Sequence, residues 1–329
     1  KTMNRKQLYI LAAGLLLAVA VAALIIFGRT LFVGATEFGF GDANRVRRIT
    51  ITSSSGQLKL RKRGRAWVVN GEQAAQAEKV NDALFALQML QVKYPLPASH
   101  AAAYEQAMQR SALHLRLSGR LGGIRRYTVC QLDTLLVGTL REGQPYVLEV
   151  RGNEGLDLLS MLSANPLFWR KTLLVSIMPS HIAAVAVEDL GKPERSFKLS
   201  IDTLGQAQVE ALYSGEVFRN LNEERLQRYL SYYQSVSFER YVTDPTGEDV
   251  SDIALSPAYI FTIENVNGHA QTFTLLHMPV RDTLDAFGRP AEVDLNRCYL
   301  QQEGDPKLAI ALWVDFDILI KDISYFLTK

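Results

Sequence analysis

The strongest pattern along the chain is an uncharged apolar run of twenty residues from Leu8 to Phe27. At about 1.5 Å of rise per residue, a helix of this length spans the roughly 30 Å hydrocarbon core of a bilayer. The basic residues around it are unequally placed, with three before the run and one shortly after it: Lys1, Arg5, Lys6 and Arg29. Positive charge marks the cytoplasmic side of a membrane helix. The pattern therefore predicts a cytoplasmic stub over 1–7, a single transmembrane helix over 8–27 and an extracytoplasmic remainder.

A cleaved signal peptide is the alternative reading of the same run, since Val33-Gly34-Ala35 is a passable cleavage site. The apolar stretch is longer than a typical signal-peptide core, which favours retention as an anchor. A glycine-rich linker is predicted over 28–44.

Alternating apolar and polar residues then predict a sheet. Val46 to Thr52 and Leu58 to Val69 alternate around a Ser-Gly turn, and a second turn at Arg63-Gly64 adds a third strand. Helical spacing over Gln76 to Val92 predicts an amphipathic helix that covers one sheet face. The remaining elements predicted for this unit are a helix at 101–108, strands at 113–117, 125–131, 135–139 and 146–150, and a helix near 156–162.

The same order of elements repeats in the second half of the chain. Its predicted elements are strands at 182–187, 196–201 and 208–212, a helix at 222–233 capped by Asn222, strands at 259–263, 273–278, 297–301 and 308–314, and a closing helix at 316–326. We therefore predict an α+β fold with two tandem related units of mostly antiparallel sheet and packed helices, over 45–168 and 169–329, from duplication of one unit. The stretch 279–294 is an insertion of the second unit.

Composition narrows the classes of partner. The chain has 36 basic and 34 acidic residues, a net charge of +2, so nothing global favours nucleic acid, and none is expected. Cys130 and Cys298 lie far apart without metal-ligand spacing, which leaves either two buried thiols or a single bridge open.

The sequence offers no catalytic signature. The phosphate-loop, zinc-protease and nucleophile-elbow motifs are absent, and no two of the five histidines stand at i, i+3 or i, i+4. Asp315 and Asp317 are read as residues that complement a helix N-terminus. We therefore expect no catalytic residue, metal or cofactor, and a protein that is not an enzyme.

One local feature stands out, a basic stripe on the second strand. Lys59, Arg61 and Arg63 occupy alternate positions and so share one sheet face, with Arg65 beside them. Further basic residues sit on the preceding strand: Arg45, Arg47 and Arg48. The stripe is a candidate contact for anionic headgroups or an acidic partner, and the alternative is a solvated outer face or edge that blocks strand pairing.

The chain resembles a family of uncharacterised membrane-anchored periplasmic proteins that are often encoded beside gliding-type ABC transporter components in Bacteroidetes and other Gram-negative bacteria. The resemblance covers most of 45–327 and is carried by these segments: Ala66-Trp67-Val68-Val69-Asn70-Gly71, Leu136-Val137-Gly138, Gly143 to Tyr146, Phe168-Trp169-Arg170-Lys171, Leu173-Leu174, His181-Ile182 and Ser196-Phe197-Lys198-Leu199. The second unit departs from the pattern by lacking a tryptophan at the position that matches Trp67. The resemblance implies an architecture and an envelope role, and it supplies no reaction or site residue.

Together these patterns predict a non-enzymatic accessory or scaffold subunit of a bacterial inner-membrane complex, with the N-terminus cytoplasmic and the C-terminal domain periplasmic. Its expected partners are the lipid bilayer and an integral membrane complex, such as ABC-transporter or protein-export translocon subunits. Gly14, Ala18 and Ala22 form a small helix face suited to close packing on partner helices. The alternative is a membrane-tethered periplasmic module that binds a ligand or carbohydrate.

Overall fold

The computed structural model describes residue 17 and residues 37–140, 143–243, 256–280, 284 and 288–328. Contacts within the chain divide it into two compact units, one ending at Lys171 and the other beginning at Thr172. The predicted membrane helix over 8–27, including Gly14, Ala18 and Ala22, lies outside the described residues apart from Leu17. Within the described ranges, no helix is both long and apolar enough to cross a bilayer.

The first unit is built on one antiparallel sheet. Its described strands are β1 (Arg48–Ser53), β2 (Gly56–Arg63), β3 (Ala66–Val69), β4 (Gln73–Ala74), β5 (Leu90–Pro95), β6 (Leu113–Ser118), β7 (Gly123–Leu132), β8 (Leu135–Leu140) and β9 (Tyr146–Val150). Their order across the sheet is β4-β3-β2-β1-β6-β7-β8-β9-β5. β1 therefore sits near the middle, between β2 and a strand that begins sixty residues later in the chain.

Two helices cover opposite faces of this sheet. α1 (Ala77–Gln88) packs Leu84 and its apolar neighbours on the face that carries Ile49, and this forms the main core. α2 (Ala101–Ser111) packs on a smaller cluster around Cys130, on the other face of β7 to β9. The shorter helices of the unit are 3₁₀ turns at Ala43–Arg45, Ala98–His100 and Leu159–Met161, and α3 (Pro166–Trp169). The outer face of β1, β2 and β6 lies beyond the cluster under α2.

The chain segment that precedes β1 is packed into the first unit. Phe38 is fully buried, and its carbonyl accepts a 2.7 Å hydrogen bond from the Tyr127 hydroxyl. A Cβ on Gly39 would stand 2.6 Å from the carbonyl oxygen of Gln88, so the close approach requires glycine. The described part of the predicted linker over 28–44 is therefore held by the fold, because burial of its aromatic residues outweighs the flexibility of its glycines.

The second unit repeats the strand order of the first. Its main sheet contains β11 (Ile182–Asp189), β12 (Phe197–Ile201), β13 (Ala207–Ala211), β14 (Val217–Phe218), β16 (Arg240–Tyr241), β17 (Pro257–Asn265), β18 (Ala270–Pro279), β19 (Val293–Gln302) and β20 (Leu308–Leu312). The order is β14-β13-β12-β11-β17-β18-β19-β20-β16. β10 (Leu173–Val175) and β15 (Val236–Ser237) form a separate two-stranded sheet.

The described helices of the second unit are short. They are α4 (Glu223–Ser231), α5 (Trp313–Asp317) and 3₁₀ turns at Pro179–His181, Pro193–Arg195, Tyr232–Gln234 and Ile323–Tyr325. The predicted cap of α4 is confirmed, because the Asn222 side chain accepts a hydrogen bond from the backbone N–H of Arg225 at 3.0 Å.

The ladder registers define equivalent positions in the two main sheets. Ile49, a core residue of β1, pairs with a leucine on each neighbouring strand, and Val185 of β11 pairs with Leu199 and Ile263 in the same way. Counting outward from these core positions assigns every residue of the central strands a counterpart.

In each unit, the segment that precedes the first strand of the main sheet is hydrogen-bonded to a side chain at an equivalent position of that sheet. The Arg125 Nε donates to the carbonyl of Gly39 at 3.2 Å, and Nε2 of Gln271, the counterpart of Arg125, donates to the carbonyl of Leu174 at 2.7 Å. The two units therefore share this hydrogen bond to the preceding segment as well as their strand order.

The predicted α+β class and the mostly antiparallel sheet are confirmed, whereas three predicted helices are wrong in extent. The helix expected over 76–92 ends at Gln88, because Leu90 is buried in β5 opposite Val150 of β9. In the stretch 156–162 only one 3₁₀ turn forms, at Leu159–Met161.

The helix expected over 316–326 does not form as one element, because α5 ends at Asp317 and only a 3₁₀ turn follows at Ile323–Tyr325. Asp322 caps that turn: its backbone is extended and its side chain accepts a hydrogen bond from the N–H of Ser324. Of the predicted insertion over 279–294, residues 281–283 and 285–287 lie outside the described residues, and its two ends pair with each other where Pro279 of β18 stands opposite Val293 of β19.

Candidate functional site: a cationic groove on the first sheet

An open groove of about 1020 Å³ lies on the outer face of the first sheet. It is lined mainly by β1, β2, β6 and β7, and Asn70 and Gly71 close one side after β3. Thr50 and Thr52 are short and half-buried, and they form its floor along β1. Strand alternation explains this arrangement, because the neighbouring Ile49 and Ile51 point into the core on the opposite face.

Five exposed basic side chains line the groove, here termed the groove cations: Arg48, Lys59, Arg61, Arg116 and Arg126. Arg48 is directly opposite Arg61 in the β1–β2 ladder, and Arg116 is directly opposite Arg126 in the β6–β7 ladder. Thr50 stands between Lys59 on one side and Arg116 on the other. The threonine floor is therefore flanked by positive charge on both sides.

The charge of the groove is not compensated by the described part of the chain. None of the groove cations forms an ion pair with a described residue, and no acidic residue is among the described residues that line the groove. Like charges directly opposite in a ladder destabilise a sheet by a few tenths to about 1 kcal/mol per pair. An anionic ligand would relieve this repulsion, so the face is suited to bind one.

Fixed polar groups complete the groove. Asn70 has a positive φ of 49°, and its side-chain oxygen accepts a 3.0 Å hydrogen bond from the N–H of Lys59. His114 Nδ1 shares a 3.0 Å hydrogen bond with the Thr128 hydroxyl across the β6–β7 ladder. These contacts tie the edges of the groove to the sheet, so the site is a rigid surface and not a mobile loop.

The structure separates the basic residues that the sequence singled out. Lys59 and Arg61 line the groove. Arg63 continues the same face at the end of β2 opposite Ala66, and Arg65 follows in the turn; both are exposed and neither lines the groove. Arg48, expected beside the stripe, joins it through the β1–β2 pairing.

Two groove cations, Arg116 and Arg126, were not predicted from the sequence. They come more than fifty residues after Lys59 and reach it only because β6 pairs with β1. The Leu-His-Leu-Arg-Leu alternation that begins at Leu113 was the available signal, since it places Arg116 on the polar face of its strand.

The equivalent face of the second sheet carries a different charge. Four of the five groove cations have uncharged counterparts there, in the order Arg48, Arg61, Arg116 and Arg126: Ala184, Ser200, Thr262 and Thr272. Only Lys59 has a basic counterpart, Lys198. Glu188 and Glu264 lie on this face as well, opposite Ile260 and Ala184 in the ladder. Strand order alone therefore does not generate the cationic groove.

No described group is set up as an obvious nucleophile or metal site. Cys130 and Cys298 are free and buried. Burial raises the pKa of the Cys130 thiol to about 11, and burial together with the charge of Asp294 raises the pKa of Cys298 to about 12. Both thiols are therefore protonated at neutral pH. In the part of the chain that the structure describes, no three His, Cys, Asp or Glu residues cluster in a way that could hold a metal ion.

The fold and the groove define a class: an α+β chain of two units whose main sheets share one strand order, with a cationic groove on the first sheet. Comparison with known protein families finds no family model that matches the chain. Comparison with curated proteins finds no significant relative. The resemblance noted from the sequence segments therefore stays a prediction.

Proposed function

We propose that the chain is a non-enzymatic accessory or scaffold subunit of a bacterial inner-membrane envelope complex, of the ABC-transporter or protein-export type. The observation that carries the proposal is the groove, where five exposed cations stand on a rigid sheet without an internal counter-charge. Such a surface attracts an acidic partner over distance and fixes its orientation after contact.

The anchor is the second part of the proposal. The apolar helix over 8–27 holds the chain in the bilayer, with the N-terminus cytoplasmic and both sheet units periplasmic. Its small face at Gly14, Ala18 and Ala22 lets a partner helix approach closely. The two units arose by duplication of one unit, and the matching strand order and entry contacts support this origin.

A ligand-binding module is the second candidate function, because the groove is large enough for a small ligand. The chemistry of the lining favours an anion over a neutral carbohydrate. Sugar rings usually stack on exposed aromatic side chains, and Tyr127, the aromatic residue among the described lining residues, is buried.

The test is purification of the tagged full-length protein in mild detergent, with identification of co-purifying proteins by mass spectrometry. We expect a stoichiometric membrane complex. Lys59→Glu combined with Arg61→Glu should lose the partner, and Lys198→Glu, the equivalent change on the second sheet, should retain it.

The anchor is tested in the same experiment. Leucine at Gly14, Ala18 and Ala22 should weaken the complex, whereas Ala20→Leu, on the opposite side of the helix, is the matched control. A monomer without partners from the unmodified protein would contradict the scaffold function.

A further inference from the structure

We infer that the groove binds an extended acidic segment of a protein partner, in which carboxylates at every second position face Lys59 and Arg61 in the groove and Arg63 just beyond its end. This inference rests on the proposed function, because it names the chemistry of the partner that the scaffold docks.

The spacing of the basic side chains on β2 matches that of the side chains of an extended peptide. Lys59, Arg61 and Arg63 are alternate residues of β2, so their side chains leave the sheet on one face about every 6.8 Å. An extended peptide places its own alternate side chains at the same interval. A segment that runs along β2 can therefore bring acidic residues at i, i+2 and i+4 to successive cations without any change in backbone geometry.

The floor of the groove leaves space for a peptide along β1. The side chains of Thr50 and Thr52 are short, and the longer side chains of Lys59 and Arg116 stand on either side of this row. The row of short side chains therefore runs along β1 with longer cationic side chains on both sides, and we expect an extended chain to lie along it. The Gln57 side-chain amide donates to the Thr52 hydroxyl at 3.3 Å, and the remaining Thr52 O–H and Gln57 amide groups can hydrogen-bond to peptide carbonyl and N–H groups.

The side of the groove formed by β6 and β7 adds positive charge, and the peptide needs no second row of carboxylates to be attracted by it. Arg116 and Arg126 stand opposite each other and raise the positive potential over the floor. Arginine also pairs with carboxylates through two parallel hydrogen bonds, which fixes direction as well as charge. Arg48 stands at the end of the floor row on β1, directly opposite Arg61 of β2.

Two other anionic partners fit the same residues less well. A planar bilayer contacts protruding side chains but does not enter a groove whose floor is half-buried threonine. A sulfated or phosphorylated glycan has suitable charges but repeats at a different interval, and the described lining offers no exposed aromatic platform for its rings. The match between the stripe and an extended peptide therefore favours a protein segment.

The experiment measures fluorescence anisotropy of two labelled peptides with the full-length protein in detergent. The peptides are Ser-Glu-Ser-Glu-Ser-Glu-Ser and Ser-Ser-Glu-Glu-Glu-Ser-Ser, which share composition and charge and differ only in spacing. We expect the alternating peptide to bind several-fold more tightly. Arg61→Glu should weaken it about tenfold or more, because reversal of a contacting charge adds repulsion to the lost pair. Lys198→Glu, on the second sheet, should leave its affinity within about twofold.

Each outcome decides the inference. Equal affinity for both peptides would overturn it, because only net charge would then matter. Displacement of the alternating peptide by a heparin fragment or by short-chain phosphatidylglycerol at lower concentration than by unlabelled peptide would also overturn it, in favour of a glycan or a lipid. If Arg61→Glu abolishes peptide binding but the co-purifying complex persists, the scaffold function stands without this groove. If the peptide binds and no complex is found, the groove chemistry stands and the scaffold function fails.

Discussion

The two main sheets have the same strand order and comparable ladder registers. Their core faces carry similar apolar side chains, whereas their outer faces differ in charge. On the core face, Leu115 and Tyr127 of the first sheet correspond to Phe261 and Phe273 of the second, so apolar groups stand at both sites. On the outer face, Arg61 corresponds to Ser200. Packing against a helix restricts one face to apolar side chains, whereas the other face of the same strands is free to change its charge.

The largest expected effect concerns the segment that enters the first sheet. Phe38→Ala should lower the free energy of unfolding by about 3–5 kcal/mol, because a fully buried ring is lost beside Tyr127. Denaturant unfolding followed by tryptophan fluorescence measures it, since Trp67 and Trp169 lie in this unit. Phe85→Ala, at an exposed site of α1, is the matched control. Equal effects for the two variants would show that the entering segment contributes no more than a surface residue.

Exchanging the residues at the equivalent positions 127 and 273 should have an intermediate effect on the free energy of unfolding. Tyr127→Phe should cost about 1–2 kcal/mol, because the buried carbonyl of Phe38 loses its hydrogen bond. Phe273→Tyr should cost about 1–3 kcal/mol for the opposite reason, since a hydroxyl is added beside a ring stacked on Phe261. Circular dichroism during denaturation measures both. A stabilising Phe273→Tyr would mean that the second sheet already offers a hydrogen-bond acceptor at this place.

The smallest expected effect has the opposite sign. Arg61→Ser gives the first sheet the residue that the second sheet has, and it removes the like-charge pair with Arg48. We expect a stabilisation of about 0.2–1 kcal/mol at low salt. It should shrink in about 1 M salt, where the screening length falls to about 3 Å. Arg63→Ser, opposite Ala66, is the control and should be nearly neutral. Destabilisation by Arg61→Ser at low salt would refute the repulsion argument.

Much of the fold could be predicted from the sequence because the central strands alternate clearly. The strands that were not predicted are either only two residues long, as β4 and β14 are, or pair with a partner that is remote in the chain. β5 and β16 are the clearest cases, since each is an edge strand that pairs with a strand formed much later in the chain. Their own residues carry too little periodicity to indicate a strand.

The candidate site could be predicted only in part, for the same reason. Lys59 and Arg61 share one strand, so local alternation was enough to place them on one face. Arg116 joins them through a pairing between β1 and β6 that no local pattern announces. The lack of an internal counter-charge is likewise a property of the assembled sheet and not of any segment.

The burial of Phe38 also limits the distance between the groove and the proposed membrane helix. If the proposed helix ends at Phe27, ten residues lie between it and Phe38, which gives a reach of at most about 40 Å. A short tether holds a weakly binding surface at a high effective concentration next to anything else in the same membrane. Modest affinity for an acidic segment would then be sufficient for a neighbouring membrane protein, while the same segment free in solution would hardly be retained.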